Sequence, residues 1–339
     1  MAKQYDTIVY IGRFQPFHNA HVEIIRRAGL MTKRLVVIVG SAFQPRTFKN
    51  PFTEVERESM IFHSIKDRDF GLKIRYNTDT IYNDQAWAIR IQNIVNECTM
   101  LGDKIAIIGH KKDESTFYLD MFPQWDFIDQ DLIEPLNATN VRDLYFRKNC
   151  NMNFIKSVVP EVVFKFLVDF KDTKEYNQII REREFVEQYK KQFAHLPYEP
   201  TFVTVDNVVI QSGHVLMIRR RAEPGKGLWA LPGGFLNATT DRSVMHGAIR
   251  ELKEETGIKV PVPVLVGSIK DNKVFDAIDR SARGRTITHA FKIVLPDGPL
   301  PKVKGLDDAD KAKWIPIANV DSSECFEDHY EILQHFVGG

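Results

Sequence analysis

The chain has little of what marks secreted, membrane-embedded or disulfide-stabilised proteins. Its 339 residues include three cysteines, Cys98, Cys150 and Cys325, an odd number whose spacing fits no metal-binding cluster. This scarcity predicts free thiols in a reducing compartment. No apolar run approaches the ~20 residues of a membrane-spanning helix, and the first residues lack the apolar core of a secretory signal. We therefore expect a cytoplasmic protein without a membrane partner.

An excess of charge of either sign is also lacking. Because 46 Lys and Arg residues face 45 Asp and Glu residues, no global field attracts nucleic acid, and we predict no nucleic-acid partner. Any anion site must then be local. The composition, 43% hydrophobic and 27% charged residues without internal repeats, is typical of a globular protein. The length predicts two domains, each with its own core.

Strands and helices alternate along the first half of the chain. Buried strands are predicted at residues 7–11, 35–40 and 104–109, a weaker strand at 72–76, and helices at 53–66 and 84–98. Thr53 is the predicted N-cap of the first of these two helices. The alternation predicts an α/β fold, in which helices cover both faces of a parallel sheet.

A domain boundary is predicted near residue 200. Residues 153–193 form predicted helices broken at Pro160 and at 172–173, and Pro197 and Pro200 then exclude a continuing helix. Short strands follow. The predicted organisation is a first domain at 1–183, a helical linker at 184–199 and a second domain at 200–339.

The turn between the first strand and the helix after it carries the strongest functional signal. Residues 12–21 read Gly-Arg-Phe-Gln-Pro-Phe-His-Asn-Ala-His. In an open parallel sheet such a turn lines the ligand crevice, and the free N–H groups of a helix start favour an anion. His18 and His21 are three residues apart and can face one point, while Gly12 lets a ligand approach the backbone. The pattern predicts polyphosphate chemistry.

This turn resembles the Gly-x-Phe-x-Pro-x-His-x-x-His signature of the nucleotidyltransferase superfamily, with Ala20 in place of the usual Gly. The resemblance implies a Rossmann-like domain in which His18 and His21 contact the phosphates of ATP while another phosphate attacks the α-phosphorus. It also implies substrate contacts for the neighbouring residues, Gly12, Arg13 and Phe14. The alternative is two turn-forming histidines of no special role.

A second phosphate-binding segment is predicted at residues 137–142. A hydroxyl, from Thr139, and a guanidinium, from Arg142, near a helix start suit a triphosphate. The segment resembles the Ser-x-Thr-x-x-Arg signature of the same superfamily, with Asn137 in place of Ser. The alternative is an ordinary helix cap.

The segment Ile-Tyr-Asn-Asp-Gln-Ala-Trp at residues 81–87 places a Trp near a helix start. A cation over an indole face gains roughly 1–2 kcal/mol, so Trp87 could hold a charged aromatic ring. The segment resembles a region of nicotinamide mononucleotide (NMN) adenylyltransferases of the archaeal type. That resemblance implies that Trp87 stacks on the nicotinamide and that Asn83 contacts substrate. The alternative places Trp87 in the core.

Two further parts of the first domain resemble the same family. Residues 109–115, Gly-His-Lys-Lys-Asp-Glu-Ser, match the pattern Gly-His-x-Lys-Asp-x-Ser, which implies a substrate contact for His110. Arg46 matches another family position and is a further implied substrate contact, and Arg57 matches a third.

The second domain carries an independent pattern. A Gly-rich turn at residues 227–235 leads into a helix in which Glu251, Glu254 and Glu255 lie on one face. Such like charges repel, and a hard divalent cation such as Mg²⁺ or Mn²⁺ removes that cost. The alternative, a solvated acidic face, is disfavoured by the Gly-rich turn and by Gly257, which ends the helix.

Residues 250–258 match the second half of the Nudix box, Gly-x5-Glu-x7-Arg-Glu-U-x-Glu-Glu-x-Gly-U, where U is aliphatic. The resemblance implies a Nudix α/β/α sandwich whose metal ligands and catalytic residues are Glu251, Glu254 and Glu255. The first half departs, because the Glu expected at residue 240 is Thr240 and the loop is two residues longer. The nearest carboxylate is Asp241.

Downstream, a basic loop includes Arg283 and Arg285 and runs into a strand. It resembles the segment beside the substrate in ADP-ribose-type Nudix hydrolases, although a solvated loop is the alternative. Taken together, the chain resembles bifunctional proteins in which an NMN adenylyltransferase is joined to an ADP-ribose pyrophosphatase. These resemblances imply ATP, NMN, NAD and ADP-ribose as ligands, Mg²⁺ or Mn²⁺ as cofactor, and His18, His21 and Arg142 as catalytic residues of the first domain.

Two alternatives stay open at this stage. The first domain could adenylylate a different phosphorylated vitamin, against which Trp87 and its context argue. The Nudix domain could be a non-catalytic ADP-ribose or NAD sensor, because its loop between Gly234 and Arg250 is altered. The sequence leaves a homo-oligomer open.

Overall fold

The computed structural model describes residues 3–66, 68–110, 114–130 and 137–338. The chain divides into two compact units between Ile180 and Arg181. In the described part, no helix is both long and apolar enough to cross a membrane. The three cysteines are free thiols.

The first unit is built on a parallel sheet. Its described strands are β1 (Tyr5–Gly12), β2 (Thr32–Val39), β3 (Gly71–Tyr76), β4 (Ile105–Gly109) and β5 (Asp126–Asp129). Their order is β3-β2-β1-β4-β5, and every neighbouring pair is parallel, as predicted. The strand order reverses between β1 and β4, and ligands of open α/β sheets bind at the carboxyl ends of strands beside such a reversal.

The described helices of this unit follow the predicted pattern. They are α1 (Asn19–Met31), α2 (Glu54–Ser64), α3 (Asp84–Asn96), a 3₁₀ helix (Glu114–Met121), α4 (Ala138–Tyr145), α5 (Met152–Val158), α6 (Glu161–Phe170) and α7 (Lys174–Lys191), which crosses the division between the units. Thr53 caps α2 as predicted. Its hydroxyl accepts from the Glu56 N–H at 3.3 Å, and the Glu56 carboxylate accepts from the Thr53 N–H at 2.8 Å.

Apolar residues bury both faces of this sheet. Successive residues of β1 alternate between two cores, with Ile8 and Tyr10 in one and Val9 and Ile11 in the other. A strand buried on both faces has a continuous apolar sequence, which is why β1, β2 and β4 were predictable. Strand β5 was not predicted, because it is short and mostly exposed.

The second unit is built on a mixed sheet. Its strands are β6 (Phe202–Gln211), β7 (His214–Arg220), β8 (Trp229–Ala230), β9 (Gly233–Phe235), β10 (Ile269–Phe275), β11 (Thr286–Val294) and β12 (Ala309–Pro316). The main order is β10-β11-β6-β7-β12, with β8 on β7 and β9 on β6. In this unit the β11–β6 pair is parallel, and the other described pairs of named strands are antiparallel.

Helices pack against this sheet. They are α8 (Val244–Thr256), α9 (Val262–Gly267) and α10 (His329–Val337), with 3₁₀ turns at Ile317–Asn319 and Ser322–Glu324. Ser243 caps the start of α8, and Gly257 ends it in the left-handed conformation at φ 57°, as its position predicted. Ala248 and Leu252 of α8 are buried with Val205 of β6. The observed fold is therefore the predicted α/β fold with two separate sheets.

Candidate active sites

His18 and His21 meet at the start of α1, directly after the carboxyl end of β1. Their rings are stacked, with centroids 3.6 Å apart and an angle of 23° between the planes. His18 is the N-cap residue, and its backbone N–H donates to Nδ1 of His21 at 3.2 Å. His18 is buried. The fold thus brings the two predicted histidines together at an anion-binding helix end.

His21 lies in an aromatic environment that fixes its protonation. Its ring stacks on Phe17 at 5.5 Å and meets the edge of Phe14 at 5.0 Å. Burial, with His18 as a second cause, holds the pKa of His21 well below its usual value, so the ring is neutral at pH 7. Because Nδ1 accepts a hydrogen bond, the proton lies on Nε2, which makes that nitrogen a donor.

Gly12 and Phe14 form the floor of this turn. A Cβ on Gly12 would lie 2.8 Å from Cζ of Phe14, so the packing of this ring requires glycine. We also predicted that Gly12 admits a ligand. Phe14 is 2% exposed and has a left-handed backbone at φ 53°, a conformation that costs of order 1–3 kcal/mol and clusters at functional sites. Phe14 supports His21, and substrate contacts for Gly12, Arg13 and Phe14 stay predictions.

Two residues that sequence reasoning did not assign to the site hold the turn in place. The buried guanidinium of Arg57 donates to the carbonyls of Arg13, Gly40 and Ser41 at 2.6, 2.6 and 3.0 Å. It thereby joins the loops after β1 and β2. Gln15 exchanges two hydrogen bonds with the backbone of Phe52, at 2.9 and 3.0 Å. Burial lowers the pKa of Arg57 to about 10, so it stays charged.

Arg142 of α4 reaches the same turn. Its guanidinium donates to the carbonyl of Gln15 at 2.7 Å and to Oγ1 of Thr139 at 3.2 Å. Within the described chain, its Nε has no hydrogen-bond partner, and both of its hydrogen bonds are to neutral oxygens. Burial, together with the charge of Arg13, lowers the pKa of Arg142 to about 10. A buried cation with neutral partners is the counterpart that a phosphate anion requires.

The predicted nicotinamide region surrounds the start of α3. Asn83 caps this helix and accepts from the Ala86 N–H at 2.9 Å. Trp87 is half-buried and meets the edge of the Tyr118 ring at 5.6 Å, with Phe122 at 6.2 Å. Its indole therefore packs on the core and also keeps an exposed part. Both substrate assignments stay predictions.

The remaining predicted residues of this unit have separate positions. His110 follows β4, with its Nδ1 3.7 Å from Oδ1 of Asp129. Arg46 forms a two-pronged ion pair with Glu56 at 2.7 and 2.8 Å, which ties its loop to α2. Its substrate contact stays a prediction. Lys111, Lys112 and Asp113, which complete the predicted motif after β4, lie outside the described residues.

In the second unit, Glu251 and Glu255 of α8 approach Gly233 and Gly234 of β9. The Gly233 N–H donates to the buried carboxylate of Glu255 at 2.8 Å. A Cβ on Gly234 would lie 2.7 Å from the Glu251 carboxyl carbon, so glycine is required there. Burial, with Glu251 and Asp206 as further causes, raises the pKa of Glu255 to about 8. Burial also raises the pKa of Glu251.

Asp241 supplies a carboxylate in the loop where the sequence departs from the Nudix box. Its buried carboxylate binds the Arg250 guanidinium through two hydrogen bonds of 2.9 and 2.8 Å and accepts from the Asn237 N–H at 2.8 Å. Arg250 holds the pKa of Asp241 well below its usual range. The Asn237 side chain accepts from the Thr240 N–H at 3.2 Å and so organises the longer loop. The loop thus has an internal carboxylate support despite Thr240.

The three glutamates have oxygen donors that fit a divalent cation. The side chains of Glu251 and Glu254 each accept from Arg250 at 2.8 Å. Within the described chain, no group of three or more His, Cys, Asp or Glu side chains is arranged to hold a metal. Burial and neighbouring acids raise the pKa values of Glu251 and Glu255, and the charge of a bound cation would lower both. The carboxylate oxygens of these three glutamates are ligands of the kind that a hard divalent cation prefers.

A buried polar cluster beside Glu255 was not predicted. Arg280 and Asp328 form a two-pronged ion pair at 2.9 and 2.8 Å. His329 accepts from the Leu231 N–H at 2.9 Å through Nδ1, and its Nε2 lies 3.9 Å from Asp206. Burial lowers the pKa of His329 to about 3, so it is neutral. These residues are far apart in sequence and belong to no motif, so no local signal could reveal them.

The two predicted arginines of the basic loop differ in their surroundings. The Arg283 guanidinium lies over the Phe235 ring, 5.0 Å from its centroid, and its buried Nε has no hydrogen-bond partner in the described part of the chain. Arg285 donates to the carbonyl of Asp276 at 2.6 Å and so closes its own loop. Arg283 is the better placed of the two for a ligand.

Comparison with known proteins shows the family to which the chain belongs. A model of the cytidylyltransferase-like family matches residues 9–207, and a model of the NUDIX domain matches residues 200–336. The crystal structure of a bifunctional NMN adenylyltransferase/ADP ribose pyrophosphatase from Francisella tularensis, complexed with AMP and a manganese ion, is 36% identical. It superposes with a TM-score of 0.90 over 98% of this chain and 99% of that chain. The chain belongs to this bifunctional family.

Two proteins that are each named for one of these activities are similar to about half of the chain. A nicotinamide/nicotinic acid mononucleotide adenylyltransferase from Acinetobacter baylyi is 36% identical over 52% of the chain and 92% of its own length. An ADP-ribose pyrophosphatase from Methanocaldococcus jannaschii is 30% identical over 48% of the chain and 86% of its own length.

Proposed function

We propose that the first unit transfers AMP from ATP to NMN, giving NAD and pyrophosphate, and that the second unit hydrolyses ADP-ribose to AMP and ribose 5-phosphate. The observation that carries the first activity is the buried Arg142, whose hydrogen-bond partners are neutral oxygens beside the stacked His18 and His21. The second activity rests on the α8 carboxylates and on the Asp241–Arg250 pair that supports their loop.

In the adenylyltransferase site, the NMN phosphate attacks the α-phosphorus of ATP and pyrophosphate leaves. Such a transfer needs positioning and stabilisation of charge, and no covalent enzyme intermediate. Arg142 and Arg13 attract the triphosphate, and the Nε2 proton of His21 is available to a phosphate oxygen. The half-buried ring of Trp87 provides the surface for nicotinamide, and Asn83 and His110 are the other proposed contacts of this substrate. ATP, NMN and NAD are the proposed ligands.

In the hydrolase site, Glu251, Glu254 and Glu255 would hold a divalent metal. The manganese ion in the Francisella protein supports a divalent cation in general, and we propose Mg²⁺ or Mn²⁺ here. When bound, such a cation lowers the pKa of a water ligand and polarises the diphosphate. Asp241 keeps Arg250 against the loop, and Arg283 faces the diphosphate. A water oxygen then bonds to one phosphorus as the bridging P–O bond breaks.

We also propose a cytoplasmic location and no nucleic-acid partner. The three free thiols and the near-balance of charge support this assignment.

Chromatography of reaction products tests both activities. The purified protein is incubated with Mg²⁺ and ATP plus NMN, with ATP plus nicotinic acid mononucleotide, and with ADP-ribose alone. We expect NAD in the first reaction, and AMP with ribose 5-phosphate in the third. Tight binding of ADP-ribose without cleavage, under Mg²⁺ and Mn²⁺ alike, would refute the hydrolase and favour the sensor. Absence of NAD, with product from another mononucleotide, would refute the substrate assignment.

A further inference from the structure

Asn207 is a buried polar residue of β6 that links two parts of the hydrolase site. Its Nδ2 donates to the carbonyl of Pro232 at 3.1 Å and to the carbonyl of Ala248 at 2.9 Å. The residue is 0% exposed, and within the described chain its Oδ1 has no hydrogen-bond partner. Only the nitrogen of an amide can donate to two carbonyl oxygens, so these bonds fix the orientation of the side chain. Asn207 therefore joins β6, the segment before β9, and α8.

Both carbonyls lie beside the proposed metal ligands. Pro232 directly precedes Gly233, whose N–H donates to the Glu255 carboxylate at 2.8 Å. On α8, Ala248 precedes Glu251 by three residues, and Glu251 precedes Glu255 by four, so the three residues lie along one face of the helix. The Asn207 amide thus connects the backbone that orients Glu255 to the helix that carries this glutamate.

The two carbonyls have other donors besides this amide. The backbone N–H of Asn207 also donates to the Pro232 carbonyl, at 2.8 Å. Ala248 lies inside α8, where a carbonyl accepts from the N–H four residues further along the helix. Loss of the side-chain bonds would therefore leave neither carbonyl unpaired. Burial of an amide group costs free energy, and what the Asn207 amide adds is a fixed distance between Pro232 and α8.

We propose that Asn207 is a positioning residue of the ADP-ribose hydrolase, which holds Pro232 against α8 and thereby keeps the Gly233 N–H on the Glu255 carboxylate. The inference rests on the proposed hydrolase function. Asn207 acts through the backbone of residues 232–233 and not by contact with the metal or the substrate. Because hydrogen-bonded neighbours orient the ligands of a metal, loss of this bridge should weaken the binding of the cation.

The test replaces Asn207 in the full chain by leucine and, separately, by serine. Asn207→Leu keeps the approximate volume of the side chain and removes both hydrogen bonds. Asn207→Ser introduces a smaller polar side chain that is too short to span the two carbonyls. We expect each variant to lower kcat for ADP-ribose roughly 10–100-fold with a smaller change in KM, and to leave NAD synthesis unchanged.

Gln211 provides a matched control on the same strand. It is also buried, and its Nε2 donates to the carbonyls of Gly298 and Pro299, both at 3.4 Å. Gln211 pairs with His214 at the end of β6 that leads into β7, four residues beyond Asn207. Gln211→Leu therefore removes a comparable bridge. It should lower the unfolding temperature without changing kcat for ADP-ribose.

Binding of Mn²⁺ to the substrate-free protein gives a readout that does not depend on turnover. Free Mn²⁺ is measured by electron paramagnetic resonance, and Glu255→Gln, measured in parallel, gives the contribution of other Mn²⁺ sites. We expect both Asn207 variants to bind Mn²⁺ about 10–100-fold more weakly than the wild-type protein, and Gln211→Leu to bind it equally well. Hydrogen exchange at the Gly233 amide, followed by mass spectrometry, should be faster in the Asn207 variants only.

The two measurements separate this proposal from the proposed function. Wild-type Mn²⁺ affinity and wild-type kcat in either Asn207 variant would overturn the proposal, as would equal losses in Gln211→Leu. If the wild-type protein cleaves no ADP-ribose, the proposed function fails. The Mn²⁺ affinity and the exchange at Gly233 then still decide whether Asn207 positions the Glu255 carboxylate.

Discussion

The two units differ in the partners of the charged groups that are buried at their candidate sites. In the first unit, Arg57 and Arg142 are buried among carbonyl and hydroxyl oxygens. In the second unit, buried arginines have acidic partners, as in the Arg280–Asp328 pair, and Glu255 is buried against a backbone N–H. Desolvation of a charge is costly, so a buried charged group without a hydrogen-bonded counter-ion is the one that a ligand completes. The first site is therefore suited to phosphates and the second to a cation.

The largest expected effect is that of Glu255→Gln. This change removes the buried acid and should reduce ADP-ribose hydrolysis to background, while NAD synthesis stays at the wild-type rate. Added Mn²⁺ should raise the unfolding temperature of the wild-type protein but not that of the variant, because binding stabilises only a protein with its site intact. Glu324→Gln, at an exposed acid, is the control. Equal loss of both activities would contradict separate sites.

Arg142→Met removes the buried positive charge of the first site. The loss of one preorganised charge-stabilising group costs on the order of 100–1000-fold in rate, and we expect NAD synthesis to fall by that amount. ADP-ribose cleavage should not change, because its site lies in the other unit. The control is Arg147→Met, because Arg147 is exposed on the chain that follows α4. Near-wild-type NAD synthesis would show that Arg142 is structural only.

Asp241→Asn should have an intermediate effect. It weakens the ion pair that fixes Arg250 and the longer loop, so ADP-ribose cleavage should fall about 10–100-fold with the metal ligands still present. Steady-state rates at saturating Mg²⁺ measure the effect, and Asp310→Asn, at an exposed position, is the comparison. Unchanged rates would mean that the altered box needs no carboxylate support.

Trp87→Ala should act on one substrate of the adenylyltransferase. Loss of stacking on a charged ring, worth roughly 1–2 kcal/mol, should raise KM for NMN about 10-fold and leave KM for ATP nearly unchanged. Both constants are measured in the same assay. Equal increases for both substrates, with a lower unfolding temperature, would place Trp87 in the core.

The smallest expected effect concerns His329, a buried group that is neutral. Its folded-state pKa of about 3 lies below the unfolded value of 6.5, so the unfolded chain binds the proton more readily. The free energy of unfolding should therefore fall as pH drops from 6.5 towards 3. His329→Gln should show a weaker fall over this range in denaturant titrations. Identical pH profiles would show that His329 is not buried as a neutral ring.

Patterns carried by continuous segments were predictable from the sequence. The apolar strands β1, β2 and β4, the Thr53 cap and the Gly257 helix end depend on neighbours in the chain, and each appears where it was predicted. The motif of residues 12–21 likewise placed His18 and His21 on one helix turn, because residues three apart in a helix are neighbours.

What only the tertiary structure decided depends on residues that are distant in sequence. Arg142 contacts Gln15, and Asp206 lies near His329, through the packing of different elements. Protonation was decided there as well, since burial makes His21 neutral and raises the pKa of Glu255 to about 8. Sequence spacing fixes which groups lie near each other along one helix. Only the packed chain determines which of them lose water, and the loss of water sets both their charge and the ligand that can satisfy it.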